Sequence, residues 1–471
     1  MLTKLVFPQG FYWGSSTSAH QVEGGNFNDW TEWEKKNAGR LAREAKVKWQ
    51  GWQIKKFPEM FRPENYISGN ACDHYNRYEE DFDIARSLGH NAHRFSIEWS
   101  RIEPKEGEFN EEEIDHYRKV IKALKKRGLE PFVTLWHWTN PLWIRDMGGW
   151  ENKKTVEYFS RYVGKIASKL GKEVKFWITI NEPTVYLSKS YLVGAWPPQK
   201  RSFLSFNRAC KNLAKAHVRA YKTIHGICPN AKAGFANNLS FIEPRHWYCL
   251  ADWLVAKIYK YFSFEKIYKL TNRYHDFIAL QYYFHDTICF YNILLSLLSS
   301  PRRRGSRYSE STHPVPGSPR QSTGQASAGM TTNLYEIGNE QRITDLNWEI
   351  YPEGIYHILK DLRKYDKPIY ITENGLADKD DKSRKKFIEE NLFWVHKAIA
   401  EGVDVRGYFY WSLLDNFEWD KGFWPRFGLV SVDRKTQKRT VRKSALEYAK
   451  ICKTSTLATK HVIPAPYETM G

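Results

Sequence analysis

Glu182 and Glu373 are the residues of this chain whose setting most favours chemistry. Glu182 stands next to last in the string WITINEP (Trp177–Pro183), and Glu373 sits in YITENG (Tyr370–Gly375). Each follows a short apolar, β-rich run, and each has an Asn beside it, Asn181 and Asn374. Two carboxylates brought to one face can divide the labour of displacement at a sugar's anomeric carbon. One holds a proton for the leaving oxygen, and the other attacks or assists at the carbon. A lone Glu at a strand end is ordinarily a salt-bridge partner or a helix-start acid. Two of them in matching contexts favour catalysis, provided that a fold closing on itself unites such distant positions.

The elements between them fit that requirement. Eight apolar, β-prone runs recur at Phe11–Ser18, Ala92–Ser100, Pro131–Trp138, Lys175–Asn181, Ala231–Leu239, Phe277–Phe284, Pro368–Thr372 and Arg406–Leu413. Helical periodicity separates them, at Glu111–Arg127, Val156–Leu170, Phe206–His225, Pro352–Tyr365 and Arg384–Glu401. Glu111–Arg127 starts with acids and ends with bases, as a helix dipole favours. Gly128, Gly171 and Gly402 stand where helix stops belong. Periodicity alone also allows an open, doubly wound sheet. The count of eight favours an α/β fold closed as a single (β/α)8 TIM barrel, whose active site lies at the C-terminal ends of the strands. Residues 1–471 are read as one such domain with long catalytic-face loops.

Composition sets limits on partners. The chain has 471 residues, 42% hydrophobic and 27% charged, with 19 Trp, 28 Tyr and 26 Phe. The mean hydropathy is −0.62, and the longest apolar stretch, Ile288–Leu298, is too short to span a bilayer. The formal charge of +19 is compatible with nucleic acid, an anionic surface or an acidic substrate, but equally with a Lys-rich solvated exterior. The six cysteines form neither a CxxC pair nor zinc spacing, so no metal or redox motif is indicated. The N-terminus lacks a signal-peptide pattern, which makes the cytoplasm the expected location. Segment 301–330 departs from this texture. It is rich in Ser, Pro, Gly and Arg, has no Lys, and reads as a flexible or atypical loop.

Ten strings in order identify a resemblance. They begin with FPQGFYWGSSTSAHQVEG (Phe7–Gly24), HYNRYEED (His74–Asp81), RFSIEWSRI (Arg94–Ile102), TLWHWTNPLW (Thr134–Trp143) and WITINEP. YLVGAWPP (Tyr191–Pro198), NWEIYPEG (Asn347–Gly354), YITENG, YWSLLDNFEW (Tyr410–Trp419) and RFGLVSVD (Arg426–Asp433) complete the series. In these the chain resembles the family 1 glycoside hydrolases of β-glucosidase/β-galactosidase type. The resemblance implies a retaining mechanism through a covalent glycosyl-enzyme, with Glu182 as acid/base and Glu373 as nucleophile, and Arg94 and Tyr283 keeping Glu373 ionised. It implies sugar contacts from Gln21, His137, Trp138, Asn181, Trp411, Glu418, Trp419 and Phe427, and an aglycone platform at Trp348. Glu418 would repel a phosphorylated sugar, and Glu182 stands where the thioglucosidase branch usually has Gln. Where the family usually has Asn-Tyr-Tyr, this chain has Gln281-Tyr282-Tyr283.

The resulting expectation is an exo-acting enzyme that removes terminal non-reducing β-D-glucosyl residues, with galactosyl and fucosyl as further options. It takes a small β-glycoside or oligosaccharide, needs no cofactor, engages neither nucleic acid nor membrane, and leaves a homo-oligomer open. The alternative is a non-catalytic sugar-binding protein on the same barrel.

Overall fold

The computed structural model describes residues 3–291 and 342–459; segment 301–330 lies outside them. Eight strands pair in chain order and close on themselves, β1 joining both β2 and β8. They are β1 (Tyr12–Ser16), β2 (Ala92–Ser96), β3 (Glu130–Thr134), β4 (Phe176–Asn181), β5 (Lys232–Asn238), β6 (Ile278–Tyr282), β7 (Ile369–Asn374) and β8 (Val405–Trp411). Each overlaps one of the eight runs read from the sequence, and the pairing is parallel throughout, which excludes the open sheet.

The barrel interior is an aromatic plug. Phe132 and Phe176 stack with ring centroids 4.2 Å apart, and Tyr12, Phe277, Tyr370 and Phe409 surround them. A second apolar layer lies between strands and helices and buries Trp13, Trp99, Trp136, Trp150 and Trp177 completely or nearly so. Much of the aromatic content is therefore structural.

The helices follow their sequence signals. Helix Glu111–Lys126 opens on Asn110, whose side chain accepts the N–H groups of Glu112 and Glu113 at 3.0 and 3.2 Å. Gly128 and Gly402 take left-handed φ values of +68° and +85° just past helix ends, as expected. Gly171 does not. It keeps right-handed geometry (φ −63°), and the chain runs on into a 3-10 turn. A Cβ there would lie 2.2 Å from the Cys228 Sγ, so a larger residue would have to displace that thiol.

Three short ribbons were not anticipated, one of them the antiparallel pair Val430–Val432 and Arg439–Val441. Thr3–Val6 pairs antiparallel with Thr456–Thr459. Phe241–Pro244, just after β5, pairs in parallel with His285–Ile288, just after β6, so this ribbon extends beyond the C-terminal rim of the barrel.

Candidate active site

Glu182 and Glu373 both stand at the C-terminal rim. Glu373 lies within β7. Glu182 directly follows β4 and precedes the helix Pro183–Leu187. Pro183 suits a first helical position because it has no N–H to satisfy. The residue before it is driven out of helical geometry. Glu182 takes the left-handed conformation (φ +39°), which the pre-proline restriction does not by itself select, while its N–H donates to the Ala236 carbonyl of β5 at 2.7 Å. Trp138 (φ +76°) and Trp419 (φ +50°) are also left-handed. For large side chains such backbones cost about 1–3 kcal/mol each, and three of them converge on this site.

Glu373 is held by three donors. Arg94, wholly buried on β2, donates through Nη1 to Glu373 Oε1, through Nη2 to Asn181 Oδ1 at 2.5 Å, and through Nε to Thr134 Oγ1 at 3.0 Å. The Tyr283 hydroxyl donates to Oε2 at 2.8 Å. Gln281 Nε2 donates to Oε1 at 2.6 Å and to Asn181 Oδ1 at 2.8 Å. The extra methylene of Gln281, a departure from the family's usual Asn, thus belongs to a side chain that touches both functional groups.

Electrostatics separates the two acids. Burial raises both carboxyl pKa values. For Glu373 the Arg94 charge, with hydrogen bonds from Arg94 and Tyr283, opposes that rise. For Glu182 the Glu373 charge adds to it, outweighing the pull of Arg94, so Glu182 is driven well above the usual carboxylate range. The proton the pair retains longest therefore resides on Glu182. The Tyr283 phenol, pushed well up by burial and then by Glu373, stays protonated as a donor.

The remaining predicted residues fall into two sectors. In the first, Asn181 Nδ2 meets His137 Nε2 at 3.1 Å, and Trp138 Nε1 donates to the Asn181 carbonyl at 3.0 Å. Trp419 packs against Trp138 at 4.8 Å and lies parallel to His137 at 5.9 Å, with Trp411 on the same imidazole at 6.2 Å. Burial and the Arg94 charge hold the His137 pKa well below its ordinary value, so its ring is neutral. In the second sector Tyr283, Trp348 and Phe427 form an aromatic group with centroids 6.1 to 6.4 Å apart. Phe284 packs on Trp348 at 4.6 Å.

Glu418 and Gln21 differ in their freedom. Half-buried Glu418 has no protein partner for its buried Oε2, and desolvation of the carboxyl pushes its pKa up to about 8. Gln21 is committed inward. Its Nε2 donates to Phe417 O at 2.8 Å and Asn416 Oδ1 at 3.1 Å, and its Oε1 accepts from Ser18 at 2.7 Å. Besides Glu418 Oε2, His137 Nδ1 and Gln281 Oε1 are buried without a protein partner. Such groups cost about 1–3 kcal/mol each when unmatched and are suited to polyol hydroxyls. Sequence reasoning did not assign a role to Thr134, which accepts from Arg94, or to Gln281. Strand alternation offered a signal for one of them, since Gln281 lies two residues from Tyr283 and so shares its face.

Among the described residues, the carboxylate site contains no cluster of metal ligands. Among the described residues one such group occurs, His246, Asp252 and Cys289, with ligand atoms within 4.8 Å of one another. There Asp252 already accepts from the Phe290 N–H at 2.7 Å and contacts His246 Nδ1 at 2.8 Å, as a helix-start acid does.

A closed parallel barrel with two buried, unequally charged carboxylates on its C-terminal rim, beside a neutral His and a wall of indoles, has the layout of a glycoside hydrolase. The chain belongs to glycosyl hydrolase family 1, whose profile matches residues 3–257 and 251–457. It is 32% identical over 495 residues to "Beta-glucosidase A" of Thermotoga maritima, an alignment covering 96% of this chain and 98% of that one. Among solved structures, the β-glycosidase from Pyrococcus horikoshii superposes with a TM-score of 0.76 at 35% identity, covering 97% of this chain and 96% of that one. The Thermotoga maritima β-glucosidase in complex with glucoimidazole gives 0.76 at 29% identity, covering 96% and 99%.

Proposed function

We propose that the chain is a retaining exo-β-glycosidase acting on terminal non-reducing β-D-glucosyl residues, with β-D-galactosyl and β-D-fucosyl residues as secondary substrates. The observation that carries this reading is the unequal company of the two acids: Glu373 faces Arg94, Tyr283 and Gln281, whereas Glu182 faces the charge of Glu373 itself. In the first displacement ionised Glu373 attacks the anomeric carbon, while Glu182 gives its proton to the departing glycosidic oxygen. Esterification removes the negative charge from Glu373, the pKa of Glu182 falls, and Glu182 becomes the base that takes a proton from water. Water then displaces Glu373 and restores the β configuration. Asn181, anchored by Arg94 and Gln281, is placed to bind the sugar 2-hydroxyl. Glu418 and His137 offer unmatched atoms to other hydroxyls, and Trp411 supports the ring. Trp348, half-buried beside Tyr283, serves the aglycone.

The similarity to a protein named β-glucosidase over nearly the full chain supports glucose as the first sugar to test. A single glycosidase domain interrupted by the 301–330 insertion is the matching organisation. Six free thiols favour a reducing, cytoplasmic setting. The decisive experiment is hydrolysis of an aryl β-glucoside. Activity falls by at least about 10⁴-fold in Glu373→Ala, and azide restores turnover with an α-glycosyl azide as product. A folded chain inactive on every aryl β-glycoside would overturn the proposal and leave the sugar-binding alternative.

A further inference from the structure

Helix Leu250–Lys260 presents its apolar side outward. Its buried residues are Asp252 and Ala256, whereas Leu250, Trp253, Leu254 and Ile258 are exposed, Leu250 to 84%. That spacing is the stripe by which a helix ordinarily packs on a core. Trp247 (81% exposed) and Tyr248 (73%) extend the surface at the helix start. The patch is continuous there, because Trp253 Nε1 donates to the Trp247 carbonyl at 2.9 Å and the Trp247 and Tyr248 rings lie 5.8 Å apart. Isolated exposed apolar residues are common on proteins, but a contiguous aromatic and aliphatic surface marks a place of association.

Charge and position identify the occupant. From Arg245 to Arg273 the sequence carries six basic residues against two acids, one of them the buried Asp252. Lys257 is exposed within the apolar stripe itself. Lysines are depleted at the centre of protein–protein interfaces, which disfavours a second copy of the chain. Trp, Tyr and Leu interleaved with Lys match the boundary between lipid headgroups and acyl chains. The helix follows the ribbon Phe241–Pro244/His285–Ile288, which prolongs β5 and β6 beyond the barrel's C-terminal rim. Phe284, at the foot of that ribbon, packs on Trp348. The patch thus belongs to the rim that bears Glu182 and Glu373.

We propose that this surface docks the enzyme on an anionic phospholipid bilayer, with the helix lying in the headgroup region. No described helix is long and apolar enough to cross a membrane. The expectation of no membrane partner rested on low hydropathy and the lack of a span, and an interfacial helix requires neither high hydropathy nor a span.

The test is flotation of the full chain with phosphatidylcholine/phosphatidylserine vesicles and with phosphatidylcholine vesicles alone. The wild type floats with the anionic vesicles and does so less as salt rises. The double variant Trp247→Ser/Trp253→Ser lowers the bound-to-free ratio by at least about tenfold. Lys257→Glu selectively weakens binding to the anionic vesicles. All variants hydrolyse a water-soluble aryl β-glucoside within about twofold of wild type. A wild type that stays with the buffer, a double variant that binds equally well, or a dimer that dissociates in the double variant without any vesicle binding would each overturn the proposal.

Discussion

Glu182 and Glu373 share burial but not company, and the difference sets the expected pH behaviour. Under the proposed mechanism the free enzyme acts with Glu373 ionised and Glu182 protonated, so the basic limb of kcat/KM should lie well above the usual glutamate range. Tyr283→Phe removes one donor from the Glu373 carboxylate. We expect kcat to fall about 10- to 100-fold, with the acidic limb moving up, measured as full pH–rate profiles. Glu418 gives a prediction of opposite sign for stability and function. Its carboxyl is raised from 4.5 to about 8, so folding is penalised increasingly as pH climbs through that window. Glu418→Gln should therefore raise Tm by about 2 °C at pH 8 and give no gain near pH 4. The same substitution should lower kcat/KM about 10- to 100-fold through the lost sugar contact. The two acids drew attention in the sequence because they stand at strand ends, whereas Arg94, in the middle of β2, was singled out only through the family resemblance. The reach of Gln281 could not be read there, because whether an amide touches one neighbour or two depends on distances that no motif encodes.

At the scale of elements, the barrel was legible because apolar runs of strand length alternate with helical periodicity, and each alternation survives in the structure. Asn110→Ala, which deletes the acceptor for two helix N–H groups, should cost about 1 kcal/mol without changing kcat, seen as a lower denaturant midpoint. What escaped were contacts made by few residues with little periodicity. Thr3–Val6 and Phe241–Pro244 are each four residues long and take their partners from distant parts of the chain. Gly171 marks the end of its helix, as read, but not through a left-handed turn. A glycine after a helix has the same appearance whether it serves a turn or makes room, and here the room belongs to Cys228.

For the whole molecule, the aromatic count divides into parts. One share plugs the barrel, a second lies beneath the helices, a third lines the candidate pocket, and a fourth is left on the rim at Trp247 and Trp253. Composition announced the total and could not apportion it. The formal charge of +19 likewise had no address in the sequence; its local excess from Arg245 to Arg273 gains meaning only beside an exposed apolar helix face. The 301–330 segment is rich in Ser, Pro, Gly and Arg and has no Lys. Replacing it with a short Gly-Ser linker should leave Tm within about 2 °C and kcat on an aryl β-glucoside within about twofold.

The ribbon that pairs Thr3 with Thr459 has one more consequence. It brings residues near the two ends of the sequence side by side next to a barrel whose strands already run in order around a ring, so the architecture is close to cyclic. Circularly permuted versions, joined across that ribbon and opened in a connecting loop, keep every strand beside its present neighbours. The order in which the elements are synthesised is then separable from the order in which they pack.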